Sequence, residues 1–147
     1  MTKAIYFDMD GTIADLYGVE NWLPMLRNSD PTPYKVAKPL LSLSILARYL
    51  NKLQASGYVL GIVSWLSKNS TKEYDEAVAT AKIEWLKSHL KSVHFNEIVI
   101  VPYGTPKQKV VNNPMGILFD DEEHNRNEWC GEAYNVQNII EILKGLE

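Results

Sequence analysis

A run of four apolar residues, Ala4-Ile5-Tyr6-Phe7, stops abruptly at two carboxylates, Asp8 and Asp10, with Gly11 and Thr12 directly behind them. Such a run reads as a buried strand that ends in a tight turn. Unpaired charge inside a sheet is costly, so the acids belong beyond the strand. In open α/β sheets, ligands bind outside the carboxyl ends of the strands, and two acids there are well placed for chemistry. A calcium loop would need ligands at alternating positions and a glutamate in twelfth place, whereas the twelfth residue from Asp8 is Val19. Taken alone, the motif also fits a plain turn with two solvated acids, because Asp and Gly are common turn residues.

The rest of the chain alternates strand and helix patterns. Val59 to Val63 and Ile98 to Val101 are short β-branched runs, and Gly116 to Phe119 is a fourth apolar run that ends in Asp120-Asp121. Leu43, Leu46, Tyr49, Leu50 and Leu53 recur at helical spacing, and Gly57 closes that helix. Tyr74, Val78, Ala81, Trp85 and Leu86 form the inward stripe of a longer helix that runs to about Leu90. Thr105-Pro106 reads as a cap with proline in the first helical position, opening a short helix, and Ile139, Ile140 and Leu143 mark a closing one. Strands alternating with helices imply right-handed crossovers and a mostly parallel sheet.

With 147 residues, 46% of them apolar, the chain reads as one domain spanning residues 1–147 with a core of its own. A net charge of −3 argues against strong nonspecific nucleic-acid binding. Cys130 is the lone cysteine, which excludes an internal disulfide and fits a reducing setting. Acid arrives too early for a signal-peptide core, and no stretch nears the roughly 20 apolar residues of a membrane helix. The expectation is a cytoplasmic protein. His89, His94 and His124 lack the spacing of a zinc site. They read as structural or surface residues, and Trp129 beside Cys130 as packing. The one irregular region, Asp15 to Pro39, carries Pro24, Pro31, Pro33 and Pro39. It reads as a small insert over the end of the first strand, a candidate lid.

If the strands are parallel, their ends converge on one sheet edge. The first supplies Asp8 and Asp10, the second Ser64, and the fourth Asp120 and Asp121, with Lys107 and Lys109 just before that fourth strand. Acids, a hydroxyl and a lysine around one point suit phosphoryl transfer. Several carboxylates together repel one another, and Mg²⁺ prefers a few carboxylates plus waters and phosphate oxygens.

As a set in this order, these motifs resemble the phosphatase branch of the haloacid dehalogenase (HAD) superfamily over nearly the whole chain. The resemblance implies a Rossmann-like three-layer α/β sandwich with a minimal cap insert. It also implies a Mg²⁺-dependent phosphomonoester hydrolase. Asp8 would be the nucleophile that forms an aspartyl-phosphate, and Asp10 the general acid and base. Ser64 and the lysine would hold the phosphoryl group. Asp8, the Asp10 backbone carbonyl and Asp121 would bind the metal, with Asp120 in support. Between the lysines, Lys107 directly after Thr105-Pro106 is preferred, with Lys109 a solvated charge. Glu122 and Glu123 read as a charged helix start.

The pattern Lys82-x-x-Trp85-x-x-x-His89-Leu90, followed by Asn96-Glu97-Ile98-Val99-Ile100, is similar to the 5′(3′)-deoxyribonucleotidases of that superfamily. This implies a small phosphorylated substrate, a nucleotide. Tyr17, Trp22 and Trp65 read either as stacking partners for a base or as residues that close the core of the small cap. Two features depart from that group: the insert is shorter than its cap, and Trp65 follows Ser64 where a second small hydroxyl residue is usual. An open site equally suits a nucleic-acid end or a phosphoprotein. The rival readings are a phosphate-binding module without turnover and a phosphomutase.

Overall fold

The computed structural model describes residues 2–147. The first strand, β1 (Ala4–Phe7), is buried at every position. This is the signature of a strand with both faces covered, and it explains the unbroken apolar run. It pairs in parallel with β4 (Val59–Trp65) on one side and β6 (Ile117–Phe119) on the other. Beyond β4 lies β5 (Glu97–Val101), and beyond β6 lies β7 (Ala133–Tyr134), a two-residue parallel edge strand with no signal of its own in the sequence. The order across the five-stranded sheet is β5-β4-β1-β6-β7. The chain therefore builds outward from β1 in one direction, then returns and builds in the other. That reversal places a topological switch point between β1 and β6.

One face of the sheet carries Ile5 and Phe7, packed with α3 (Leu43–Ala55), α4 (Lys72–His89) and α6 (Ile139–Gly145). Both longer helices start at a side-chain cap. The Ser42 hydroxyl accepts from the Ile45 N–H in α3, and the Thr71 hydroxyl from the Tyr74 N–H in α4. Beyond α3, Gly57 sits at φ +109°, a conformation that suits glycine.

The opposite face carries Ala4 and Tyr6, covered by a thinner layer built from Val110, Val111 and Trp129, which follows α5 (Glu123–Glu128). Trp129 meets Tyr6 edge-on at 5.6 Å, and its indole N–H donates to the Gly116 carbonyl at 2.8 Å. It is a packing residue. The expected α/β class with a mostly parallel sheet is the fold observed. Thr105-Pro106, however, opens only a 3₁₀ turn over Lys107–Lys109, not a helix. The Thr105 hydroxyl bonds back to the Pro102 carbonyl at 2.6 Å instead of capping forward.

The proline-bearing segment leaves the core through β2 (Ala14–Asp15) and returns through β3 (Lys38–Pro39), which pair antiparallel. Between them lie α1 (Trp22–Arg27) and α2 (Thr32–Val36). Tyr34 of α2 packs with Leu16 against Tyr74, Val78 and Ala81 of α4, so the excursion is anchored by its own small apolar cluster. His89, His94 and His124 are all exposed. Among the described residues, no helix is long and apolar enough to cross a membrane.

Candidate active site

Asp8 sits where β1 runs out. Its N–H donates to the Phe119 carbonyl at 2.9 Å, so the ladder to β6 continues one residue past the strand and fixes the Asp8 backbone. The chain then reverses: the N–H groups of Thr12, Ile13 and Ala14 all point to the Met9 carbonyl, at 3.0–3.1 Å. Gly11 takes φ +81° within that turn, and a Cβ there would strike the Asp121 carboxylate. Glycine is required both for its backbone angle and for the space it leaves.

Across the switch point, Asp120 and Asp121 follow β6. One oxygen each of Asp8, Asp120 and Asp121 lies within 4.8 Å of the other two. The Thr12 hydroxyl lies between Asp8 Oδ2, at 3.2 Å, and Asp121 Oδ1, at 3.3 Å. Lys107 is buried and donates to Asp8 Oδ1 at 3.0 Å and to Asp120 Oδ2 at 2.6 Å. Lys109 is exposed, so the 3₁₀ turn directs one lysine inward and the other to solvent. Burial would lower the Lys107 pKa, but the Asp8 and Asp120 carboxylates more than offset it and raise it instead.

Asp120 is fully enclosed and has both oxygens occupied. Oδ1 accepts from the Glu122 N–H at 2.9 Å, and Oδ2 from Lys107 and from Asn125 at 3.2 Å. It therefore braces the site. Asp121 is freer: burial, and then the bond and charge of Asp8, push its carboxyl up to about 8. Burial and Asp8 likewise raise Asp120 to about 6.

The Asp10 carboxylate turns away from this cluster, and Oδ2 accepts from Lys82 Nζ at 2.9 Å. Only its backbone carbonyl remains to meet the metal expectation. Ser64 is fully buried at the end of β4, and its hydroxyl meets Lys82 Nζ at 2.6 Å.

Lys82, Thr12 and Asn125 are the polar residues that sequence reasoning gave no role. Thr12 stands in the opening motif, and Lys82 had left a signal as well, because a lysine four residues after Val78 and three before Trp85 falls on the inward stripe of its helix. With all four ionised, Asp8, Asp10, Asp120 and Asp121 would set four negative charges against two from Lys82 and Lys107. The shortfall of two, beside oxygen-only donors, suits a hard divalent cation.

Above these groups opens a cavity of about 290 Å³, at the small end of ligand sites. Its walls include Tyr17, Trp22 and Tyr34 from the β2–β3 excursion and Trp65 and Tyr103 from the core. Tyr17 and Trp22 meet edge-on at 5.0 Å, and Trp65 and Tyr103 pack at 4.9 Å. The Trp65 indole N–H donates to the Thr105 carbonyl at 2.8 Å, which fixes its ring beside Lys107. A larger surface groove between α2 and α4, about 650 Å³, is lined by none of the four aspartates of this site.

No family model matches the chain, and no curated protein matches it. Among solved structures, D,D-heptose 1,7-bisphosphate phosphatase from Burkholderia thailandensis is similar at a TM-score of 0.51 and 15% identity, covering 86% of this chain and 70% of that one. The HAD domain of the effector protein Lem4 from Legionella pneumophila aligns at a TM-score of 0.47 and 14% identity, covering 99% of this chain and 93% of that one. At 15% identity, the likeness to the heptose bisphosphate phosphatase is one of fold.

Proposed function

We propose that this chain is a Mg²⁺-dependent phosphomonoester hydrolase that works through an aspartyl-phosphate on Asp8. The observation that carries the proposal is the meeting of Asp8, Asp120, Asp121 and Lys107 at the β1/β6 switch point. A binding module has no need of a nucleophile and an acid two residues apart, each with its own lysine.

Asp8 attacks phosphorus in line, and the bond from phosphorus to the leaving oxygen breaks as the new bond forms. Asp10 gives its proton to the leaving oxygen. It then takes one from the water that cleaves the aspartyl-phosphate, a relay worth about 10²- to 10⁴-fold in rate. Burial raises the Asp10 pKa, which favours the protonated form needed for the first step. Lys107 offsets charge on Asp8 and on the phosphoryl oxygens, and Ser64 supplies a hydroxyl to those oxygens. Mg²⁺, held by Asp8, Asp121 and the Asp10 carbonyl, would supply charge neutralisation between anionic nucleophile and anionic substrate.

The aromatic walls favour a leaving group that carries a planar ring, which makes a nucleotide the leading substrate class; stacking on such walls is worth about 1–3 kcal/mol per base. The lone exposed cysteine accords with a cytoplasmic setting. The test is release of p-nitrophenol from its phosphate ester, followed by a panel containing nucleoside monophosphates, sugar phosphates, a 5′-phosphorylated oligonucleotide and a phosphopeptide. Turnover that requires Mg²⁺ and stops with EDTA is expected. Absence of metal-dependent turnover on every ester overturns the reading, and preference for the oligonucleotide or peptide redirects the substrate class.

A pH dependence follows from Asp121. Its carboxyl is raised in the fold, so its contribution to stability is full below the ordinary carboxylate range near 4 and is lost as pH climbs through about 8. The metal-free protein should lose melting temperature across that window. A bound cation requires ionised Asp121, so the stabilisation by Mg²⁺ in a thermal melt should be larger at pH 8 than at pH 5. A Mg²⁺-induced shift of equal size at both pH values would contradict this assignment.

A further inference from the structure

Lys82 is about 1% exposed, on a helix stripe that is otherwise apolar. Burying an ammonium group costs several kcal/mol unless its partners compensate. Here every proton on Nζ has an acceptor: Asp10 Oδ2 at 2.9 Å, Ser64 Oγ at 2.6 Å and the Trp65 carbonyl at 2.7 Å. The Tyr34 ring closes the remaining side, with its centroid 5.2 Å away. An ammonium group has three donors and no acceptor, so Lys82 has nothing left to offer a substrate.

Its effect falls on two partners. With Oδ2 held, Oδ1 is the Asp10 oxygen without a protein partner among the described residues, and Asp10 lines the cavity. A protonated Asp10 must then carry its hydrogen on Oδ1, because Oδ2 already faces a donor. Ser64 Oγ likewise accepts from Lys82, so its own hydrogen is directed elsewhere, and no other protein acceptor meets it among the described residues. One buried cation thus fixes which Asp10 oxygen can carry a proton, and it holds Ser64 Oγ as an acceptor.

We infer that Lys82 is a positioning residue that presents Oδ1 of Asp10 to the leaving oxygen. The inference rests on the hydrolase reading. In the step concerned, the Asp8–phosphorus bond forms and the bond to the leaving oxygen breaks. The Oδ1 proton moves to that oxygen, and Lys82 keeps all three of its protons throughout.

The test compares two esters on one variant of the full chain, Lys82→Met. One is an alkyl monophosphate, whose leaving group needs a proton; the other is 2,4-dinitrophenyl phosphate, whose leaving group does not. The readout is kcat/KM, which ends at formation of the phosphoenzyme. The loss on the alkyl ester should exceed the loss on the dinitrophenyl ester by about 10²-fold, the low end of general-acid contributions. Equal losses on both esters would mean a merely structural lysine and would overturn the inference.

Both esters meet the same folded population, so the ratio cancels any fraction of protein that unfolds. If the methionine variant yields no folded protein, Lys82→Gln repeats the comparison with the same two outcomes. Failure of the native chain to hydrolyse either ester would instead remove the hydrolase reading itself.

Discussion

Asp8→Asn should lower phosphate-ester hydrolysis by about 10⁴-fold or more, the scale seen when a nucleophile that works as part of a unit is removed. Asparagine has nearly the shape of aspartate and can keep the local bonds. Its carbonyl can still accept from Lys107, now 3.0 Å from Asp8 Oδ1, and its amide can donate to the Thr12 hydroxyl, now 3.2 Å from Oδ2. What it lacks is a charged oxygen able to attack phosphorus. Neutralising position 8 also removes one of three crowded carboxylates. The metal-free variant should therefore melt at the same temperature as the native chain or higher. Loss of turnover with retained stability is the expected pair of results, read by steady-state kinetics and calorimetry. Undiminished turnover would remove Asp8 from the mechanism.

The second large effect is on stability. Lys107→Met takes away the cation that Asp8 and Asp120 share, in a place only about 2% exposed. Breaking a buried pair by deleting one partner costs about 3–5 kcal/mol, because the charge left behind has neither water nor counter-ion. For a chain of this size, about 2–4 °C of melting temperature goes with each kcal/mol, so a fall of about 10 °C is expected. The penalty should shrink on going from pH 8 to pH 5. Asp120 is already raised to about 6 with the lysine in place and would be protonated at the lower pH without it. Lys109→Met, two residues along the same turn but in solvent, should change stability by less than about 0.5 kcal/mol. Similar losses from both substitutions would contradict the buried triad.

The first strand, the two long helices and the acids at the strand ends were legible because each depends on local pattern. An apolar run with both faces covered, a 3.6-residue stripe and a glycine behind a carboxylate carry their signal within a few residues. Thr105-Pro106 misled for the same reason. The pair has the composition of a helix start, yet the Thr105 hydroxyl bonds backward to Pro102, and the chain makes only one tight turn. The edge strand Ala133–Tyr134 left no trace, because two residues cannot display an alternation.

By itself the sequence determined the fold class and the residues available for chemistry, since periodicity and turn composition are properties of neighbours along the chain. Tertiary structure decided which of them meet. The return of the chain from β5 to β6 put Asp120 and Asp121 beside Asp8. The pitch of a 3₁₀ turn chose Lys107 over Lys109. Helix α4 delivered Lys82 to Asp10 across a separation of 72 residues. Those choices depend on burial and on charges brought together from distant segments, and no local pattern records an interaction that exists only after the elements have packed.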